Sequence, residues 1–212
     1  MVTFRLFGIP VIVQPWHWVL LGLLGFMIGD GVMQAALFVL AGFLSILVHE
    51  MGHALTGRAF KGQPHIVLHG FGGFALFPGA HFTRPQMFAM TAAGPGAQFV
   101  LGAIVGVAYL YFQESLPKTD IRFFIVTLAI ISLFWSILNL VPIVPLDGGQ
   151  MLDAILGPKR RNLTLAVSII AAVVVAAAMY FRMGSILFPL FVIMFAFQNF
   201  TELRDRMSKK EE

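Results

Sequence analysis

Two histidines and a carboxylate stand within five residues, His49-Glu50-Met51-Gly52-His53, just after a run from Val32 to Val48 whose only polar side chains are Gln34 and Ser45. An ionisable group in such a run is costly, roughly 2.5–3.5 kcal/mol for an Asp at a membrane-helix centre, and marks a functional site by default. On a helix, positions i and i+4 share a face, so His49 and His53 are spaced to grip one Zn²⁺. Glu50 is offset around the helix, placed to act on a water rather than on the metal. The chemistry this spacing points to is metal-assisted hydrolysis.

A catalytic zinc usually takes three protein ligands and keeps one position open. The chain has no cysteine, so the third ligand must be a His, Asp or Glu. The best-placed residue is Asp147, in Asn139-Leu140-Val141-Pro142-Ile143-Val144-Pro145-Leu146-Asp147-Gly148-Gly149. Pro142 and Pro145 interrupt helical hydrogen bonding and Gly148-Gly149 permits a sharp turn, so a carboxylate there can be steered toward a metal. The same Asp147 could instead cap a helix starting near Gly149. Asp153, one to two turns on, competes as a ligand or faces water near Lys159. Asn139, about two helical turns before Asp147, suits a hydrogen bond to a substrate carbonyl or developing oxyanion, or a bond between helices. His17, His65, His69 and His81 read as interfacial or loop residues. His65 and His69 would make a second metal site only on a helix, which Gly70, Gly72 and Gly73 oppose.

The elements that must position these residues follow from hydropathy. The 212 residues are 58% hydrophobic and 11% charged, with a mean hydropathy of +0.87, where a soluble domain carries about 25% charged residues. The expectation is an integral membrane protein, all-α and polytopic, with residues 1–212 forming one domain. Six apolar segments, about 16–29, 32–58, 86–112, 121–141, 163–181 and 185–200, predict six transmembrane helices. Residues 2–13 predict two short strands broken at Gly8 and Pro10. The apolar, glycine-rich stretch 65–77 is too short to span and predicts a re-entrant β-hairpin that could pair with those strands. Together they predict a small membrane-associated β element.

Six spans with the N-terminus inside put Arg5, Arg58, Lys61, Arg84, Lys159, Arg160, Arg161, Arg204, Arg206, Lys209 and Lys210 on the inner side. Only Lys118, Arg122 and Arg182 are left outside, which completes the chain's 14 basic residues. That bias places both termini in the cytoplasm and His49 and His53 toward the cytoplasmic end of their span. No basic run is interleaved with aromatics, which argues against a nucleic-acid partner.

The His-Glu-x-x-His in a span, the glycine-rich loop after it and the Asn-x-x-Pro-x-x-Pro-Leu-Asp-Gly-Gly run in a later span together resemble the site-2 protease family of intramembrane zinc metalloproteases. The paired motifs cover about residues 45–150. The resemblance implies one Zn²⁺ held by His49, His53 and Asp147, Glu50 as the catalytic carboxylate, and Asn139 at substrate or oxyanion. It matches Gly72-Gly73 to a β element that engages substrate and Ala93-Gly94-Pro95 to a small-residue motif of the third span. Where the family often has Asn after that motif this chain has Gln98, which receives no role. Gln150 follows Leu-Asp-Gly-Gly where the family often has Arg, so no basic contact is expected there. The length leaves no room for PDZ or CBS domains, so a minimal core is expected. The expected partners are a transmembrane helix of a substrate protein and the lipid bilayer. The expected setting is regulated intramembrane proteolysis in a prokaryotic cell membrane. Two alternatives stand beside this reading: a membrane metal-ion transporter, which lacks a train of ligands along several spans, and a catalytically inactive scaffold of the same fold, at odds with an intact Glu50.

Overall fold

A computed structural model describes residues 1–70, 72–116, 119–183 and 186–209. Phe71 of the glycine-rich stretch, Lys118 and Lys210 of the charge pattern and Ser185 at the start of the last apolar segment lie outside the described residues. The elements run β1 (Val2–Leu6), β2 (Ile9–Val13), α1 (Pro15–Ile28), α2 (Val32–Ala59), β3 (His65–His69), β4 (Gly72–Leu76), α3 (Arg84–Phe112), α4 (Asp120–Leu140), α5 (Asp147–Leu156), α6 (Arg161–Met183) and α7 (Leu187–Ser208). The molecule is thus mostly helical with one small sheet. The short helix α5 was not among the expected segments.

Among the described residues four helices are long and apolar enough to cross a membrane: Val32–Ala59, Arg84–Phe112, Asp120–Leu140 and Pro158–Arg182. The chain is an integral membrane protein. The structure supports four of the six expected spans by length and composition. Helix α1 has 14 residues, a rise of about 21 Å against a hydrocarbon core of about 30 Å. Helix α7 starts apolar but ends in Glu202-Leu203-Arg204-Asp205-Arg206. Chain contacts group into two compact units, Met1–Phe82 with Ala93–Ile137, and Thr83–Ala92 with Leu138–Glu212.

In the first unit a four-stranded sheet in the order β1-β2-β3-β4 packs on α2. The strands β1 and β2 form a hairpin turned at Phe7 (φ 50°) and Gly8 (φ 80°), two successive left-handed residues as a type I′ turn requires. Pro10 does not break the strand, as the sequence had suggested; it lies inside β2 opposite Arg5. Strand β2 pairs in parallel with β3, Val11 opposite Ile66 and Val13 opposite Leu68, so the N-terminal strands and the glycine-rich hairpin do join. A parallel pair needs a long crossover, and α1 and α2 supply it. Ile9, Val11, Val13, Ile66 and Leu68 alternate inward along their strands and close on Leu47, Met51 and Ala54 of α2. Strand β4 is left as an edge.

In the second unit α6 and α7 pack around Ala172, Ala176, Val192, Phe195 and Ala196 and enclose Ile143 of the segment before α5. Small residues let two apolar helices approach closely without a hydrophobic drive between them. Arg161 forks onto both carboxylate oxygens of Glu202, at 2.9 and 3.0 Å. That hydrogen bonding holds the Glu202 carboxyl below its usual range.

Candidate functional site

The site is built first from one helix. Helix α2 is an unbroken 28 residues, and its C-terminal half carries the motif. It ends where Lys61 turns left-handed (φ 68°) and the Gly62 amide reaches back to the Gly57 carbonyl at 2.9 Å, a helix stop of the Schellman type. One turn apart, the His49 and His53 rings stand edge to face, with Nε2 atoms 3.1 Å apart. Nitrogen ligands 2.0–2.1 Å from one tetrahedral ion lie roughly 3.3 Å from each other. The observed pair already has that separation. Glu50, on the next residue, is 3% exposed.

Small residues make this crowding sterically feasible. A Cβ on Gly94 of α3 would overlap the His53 ring, and one on Gly52 would fall 2.9 Å from the Gly94 Cα and onto the Ala93 carbonyl. Helices α2 and α3 therefore cross backbone to backbone at the motif, which gives Ala93-Gly94 a physical reason. Gly73 of β4 has the same relation to the carboxylate: a Cβ there would lie 2.6 Å from Glu50 Cγ and 2.8 Å from Glu50 Oε1. The open sheet edge thus runs over Glu50 with no side chain between them. Gly72 (φ 135°) adopts backbone that side chains rarely tolerate and turns the chain into that edge.

Asp147 sits in the second unit, buried at 7% exposure, at the first residue of α5. The capping alternative fails: the residue in the cap position is Leu146, and no side chain caps the helix. The loop before Asp147 is braced from both sides. The Val144 amide donates to Ser168 Oγ of α6 at 3.2 Å, and Asn199 Nδ2 of α7 donates to the Val144 carbonyl at 2.7 Å. A Cβ on Gly148 or Gly149 would strike the backbone of Leu140–Val144, so only glycine lets the loop fold back so tightly. At its other end α5 is held by Arg84, whose guanidinium donates to the Ala154 carbonyl at 2.7 Å and also to that of Ile155.

His49 and His53 in the first unit and Asp147 in the second are the donors the chain offers a metal ion. Two imidazole nitrogens and a carboxylate oxygen suit Zn²⁺. Asp153 is no competitor: it accepts from Thr164 Oγ1 at 3.1 Å and pairs with Arg161 Nη1 at 3.2 Å. It was expected to face water near Lys159; it pairs instead with Arg161, two residues further on. Asn139 lies in the last turn of α4, half-buried. The helix stops at Leu140, so Asn139 and Asp147 are not two turns apart on one helix. His65 and His69 are strand residues, which removes the second helical site. His17 is fully buried, with Nδ1 3.0 Å from the His69 carbonyl.

Gln98 is the residue that sequence reasoning missed. Fully buried in α3, it places Oε1 3.0 Å from His49 Nδ1 and Nε2 2.9 Å from Ser45 Oγ. Its advance signals were its place in an apolar span, where a buried amide needs partners, and its position just after Ala93-Gly94-Pro95, where the resembled family often has Asn.

The profile of peptidase family M50 matches residues 106–182. A zinc metalloprotease of Methanocaldococcus jannaschii is 28% identical over 162 residues, which cover 74% of this chain and 45% of that protein. A Synechocystis sp. protein that carries a provisional zinc metalloprotease name is 31% identical over 178 residues, covering 76% of this chain and 46% of that one. The chain spans less than half the length of these relatives. The solved site-2 protease from M. jannaschii superposes with a TM-score of 0.64 over 93% of this chain and 94% of that one, at 22% identity, a likeness of fold. Over residues 106–182 the chain is similar to peptidase family M50, along three quarters of its length it is similar to zinc metalloproteases, and its fold is like that of the solved site-2 protease.

Proposed function

We propose that this chain is an intramembrane zinc metalloprotease that hydrolyses a peptide bond in or near a transmembrane helix of a membrane-anchored protein. The observation that carries the reading is the buried Glu50 on the same stretch of helix as His49 and His53, whose Nε2 atoms stand 3.1 Å apart; with Asp147 these two histidines are the proposed zinc ligands. Zn²⁺ held by those three residues supplies Lewis acidity toward water and the scissile carbonyl. Glu50 takes the proton of the attacking water and returns it to the leaving amine. Asn139 donates a hydrogen bond to the substrate carbonyl as it becomes an oxyanion. A substrate helix must unwind before attack, because its carbonyls are already bonded. The β4 edge at Gly72-Gly73 receives the unwound segment as an added strand, which main-chain hydrogen bonds hold. The closeness of Gly73 to Glu50 supports this, because it brings such a strand to the carboxylate.

The reading treats residues 1–212 as one membrane-embedded protease domain. It takes α1 and α7 as the first and last of six spans, the sheet as a re-entrant membrane element, and both termini as cytoplasmic in a prokaryotic membrane. The setting is regulated intramembrane proteolysis. The test is cleavage of a membrane-anchored substrate by wild type and Glu50→Gln. Loss of about 10²–10⁴-fold is expected from removing a general base, with zinc content unchanged. Equal cleavage by both would remove Glu50 from the chemistry.

A further inference from the structure

We infer that Gln98 is a positioning residue for the metal site, fixing the tautomer of His49 through a buried chain that ends on Ser45 and Ser132. The inference rests on the zinc-site reading and goes beyond it, because it assigns a role outside the ligand set. The chain is directional. The Ser45 carbonyl can only accept, and Gln98 Nε2 lies 3.4 Å from it and 2.9 Å from Ser45 Oγ. The amide nitrogen of Gln98 must therefore face Ser45, and the amide oxygen must face His49. That oxygen is 3.0 Å from His49 Nδ1 and can only accept. So Nδ1 carries the proton, and Nε2, turned toward His53 Nε2, keeps its lone pair.

The anchor of this chain is itself held. Ser132 Oγ of α4 donates to Ser45 Oγ at 2.9 Å. Ser45, Gln98 and Ser132 are each fully buried, so no water competes for these bonds. A metal-ligating histidine commonly donates its second ring nitrogen to such a partner, which orients the ring and raises its basicity; removing the partner typically costs 10–100-fold in metal affinity. A carboxylate or backbone carbonyl usually fills this role. An amide does so only when something fixes which of its two ends faces the ring, and Ser45 does that.

The experiment uses the purified full chain in detergent. The Zn²⁺ dissociation constant is measured by chelator competition for wild type, Gln98→Leu and Gln98→Glu, and the ¹⁵N shifts of the metal-free histidines report the tautomer. Leucine matches the volume and cannot accept; glutamate keeps the acceptor. The expected result is affinity roughly 10–100-fold weaker for Gln98→Leu, affinity within a few-fold of wild type for Gln98→Glu, and a His49 Nδ1–H signature lost only in Gln98→Leu. The metal-free shifts are informative even where a variant is less stable. Gln98→Leu binding zinc within twofold of wild type would overturn the inference, and so would equal weakening in both variants with the tautomer unchanged. Absence of zinc binding by wild type would instead overturn the zinc reading itself.

Discussion

At the residue scale the site is governed by what is missing from three positions. Gly52, Gly73 and Gly94 each leave a space that a methyl group would close: the first borders the Ala93–Gly94 backbone, the second Glu50 and the third the His53 ring. Two effects oppose one another at Gly94. Alanine in a helix interior is ordinarily favoured over glycine by about 1 kcal/mol. Its Cβ would nevertheless overlap the His53 ring, and a ring displaced from its site cannot share an ion with His49. Overlap with a packed ring wins, because interiors at crystal-like density give way little. Gly94→Ala is therefore expected to keep its helical circular dichroism and lose at least about tenfold in zinc affinity, the low end for a disturbed ligand shell. Zinc content measured after dialysis against a chelator checks this; full retention would mean that the ring has room to move.

At the element scale the two halves of the proposed ligand set are held by different means. His49 and His53 need only a continuous helix, and α2 provides it. Asp147 needs a loop that is not regular structure and must be braced. Ser168 and Asn199 do this by bonding the amide and the carbonyl of one residue, Val144. Asn199 is 2% exposed, so Asn199→Ala strands a buried carbonyl, a cost of about 1–3 kcal/mol. The expected result is a lower unfolding temperature together with weaker zinc binding, because the loop carries Asp147. Ser168→Ala should couple to it in a double-mutant cycle, since both groups hold the same peptide unit. Strict additivity in thermal unfolding would show the two contacts to be independent and the bracing idea wrong.

At the scale of the whole molecule, charge and burial divide the labour. The apolar surface of the four long helices commits the chain to a bilayer, and the proposed orientation there rests on the basic residues. The proposed six spans put the Ser208 end of α7 in the cytoplasm and the 113–116 connection outside. Because the chain has no cysteine, single cysteines report cleanly. With a membrane-impermeant maleimide, Glu114→Cys is expected to label in intact cells and Ser208→Cys only after lysis. Labelling of Ser208→Cys in intact cells would overturn this topology.

The candidate site residues could be proposed, and most helix bounds were legible, from the sequence because both rest on local rules. The i, i+4 spacing puts two histidines on one helical face whatever surrounds them, and long apolar runs fold as helices because lipid offers the backbone no other partner. Asp147 could be picked out as a carboxylate on a broken helix end, but its capping role could be dismissed only once α5 was seen to begin at Asp147 itself. Sequence proximity misled where partners are distant. Asp153 was read against Lys159 and pairs with Arg161 instead. Gln98 was set aside, yet it touches a histidine 49 residues away. Ser168 and Asn199 gave no sign of the loop they hold. Tertiary structure alone decided these contacts, because hydrogen bonds to a single amide or carbonyl depend on which helices cross and at what height, and no periodicity along the chain encodes that.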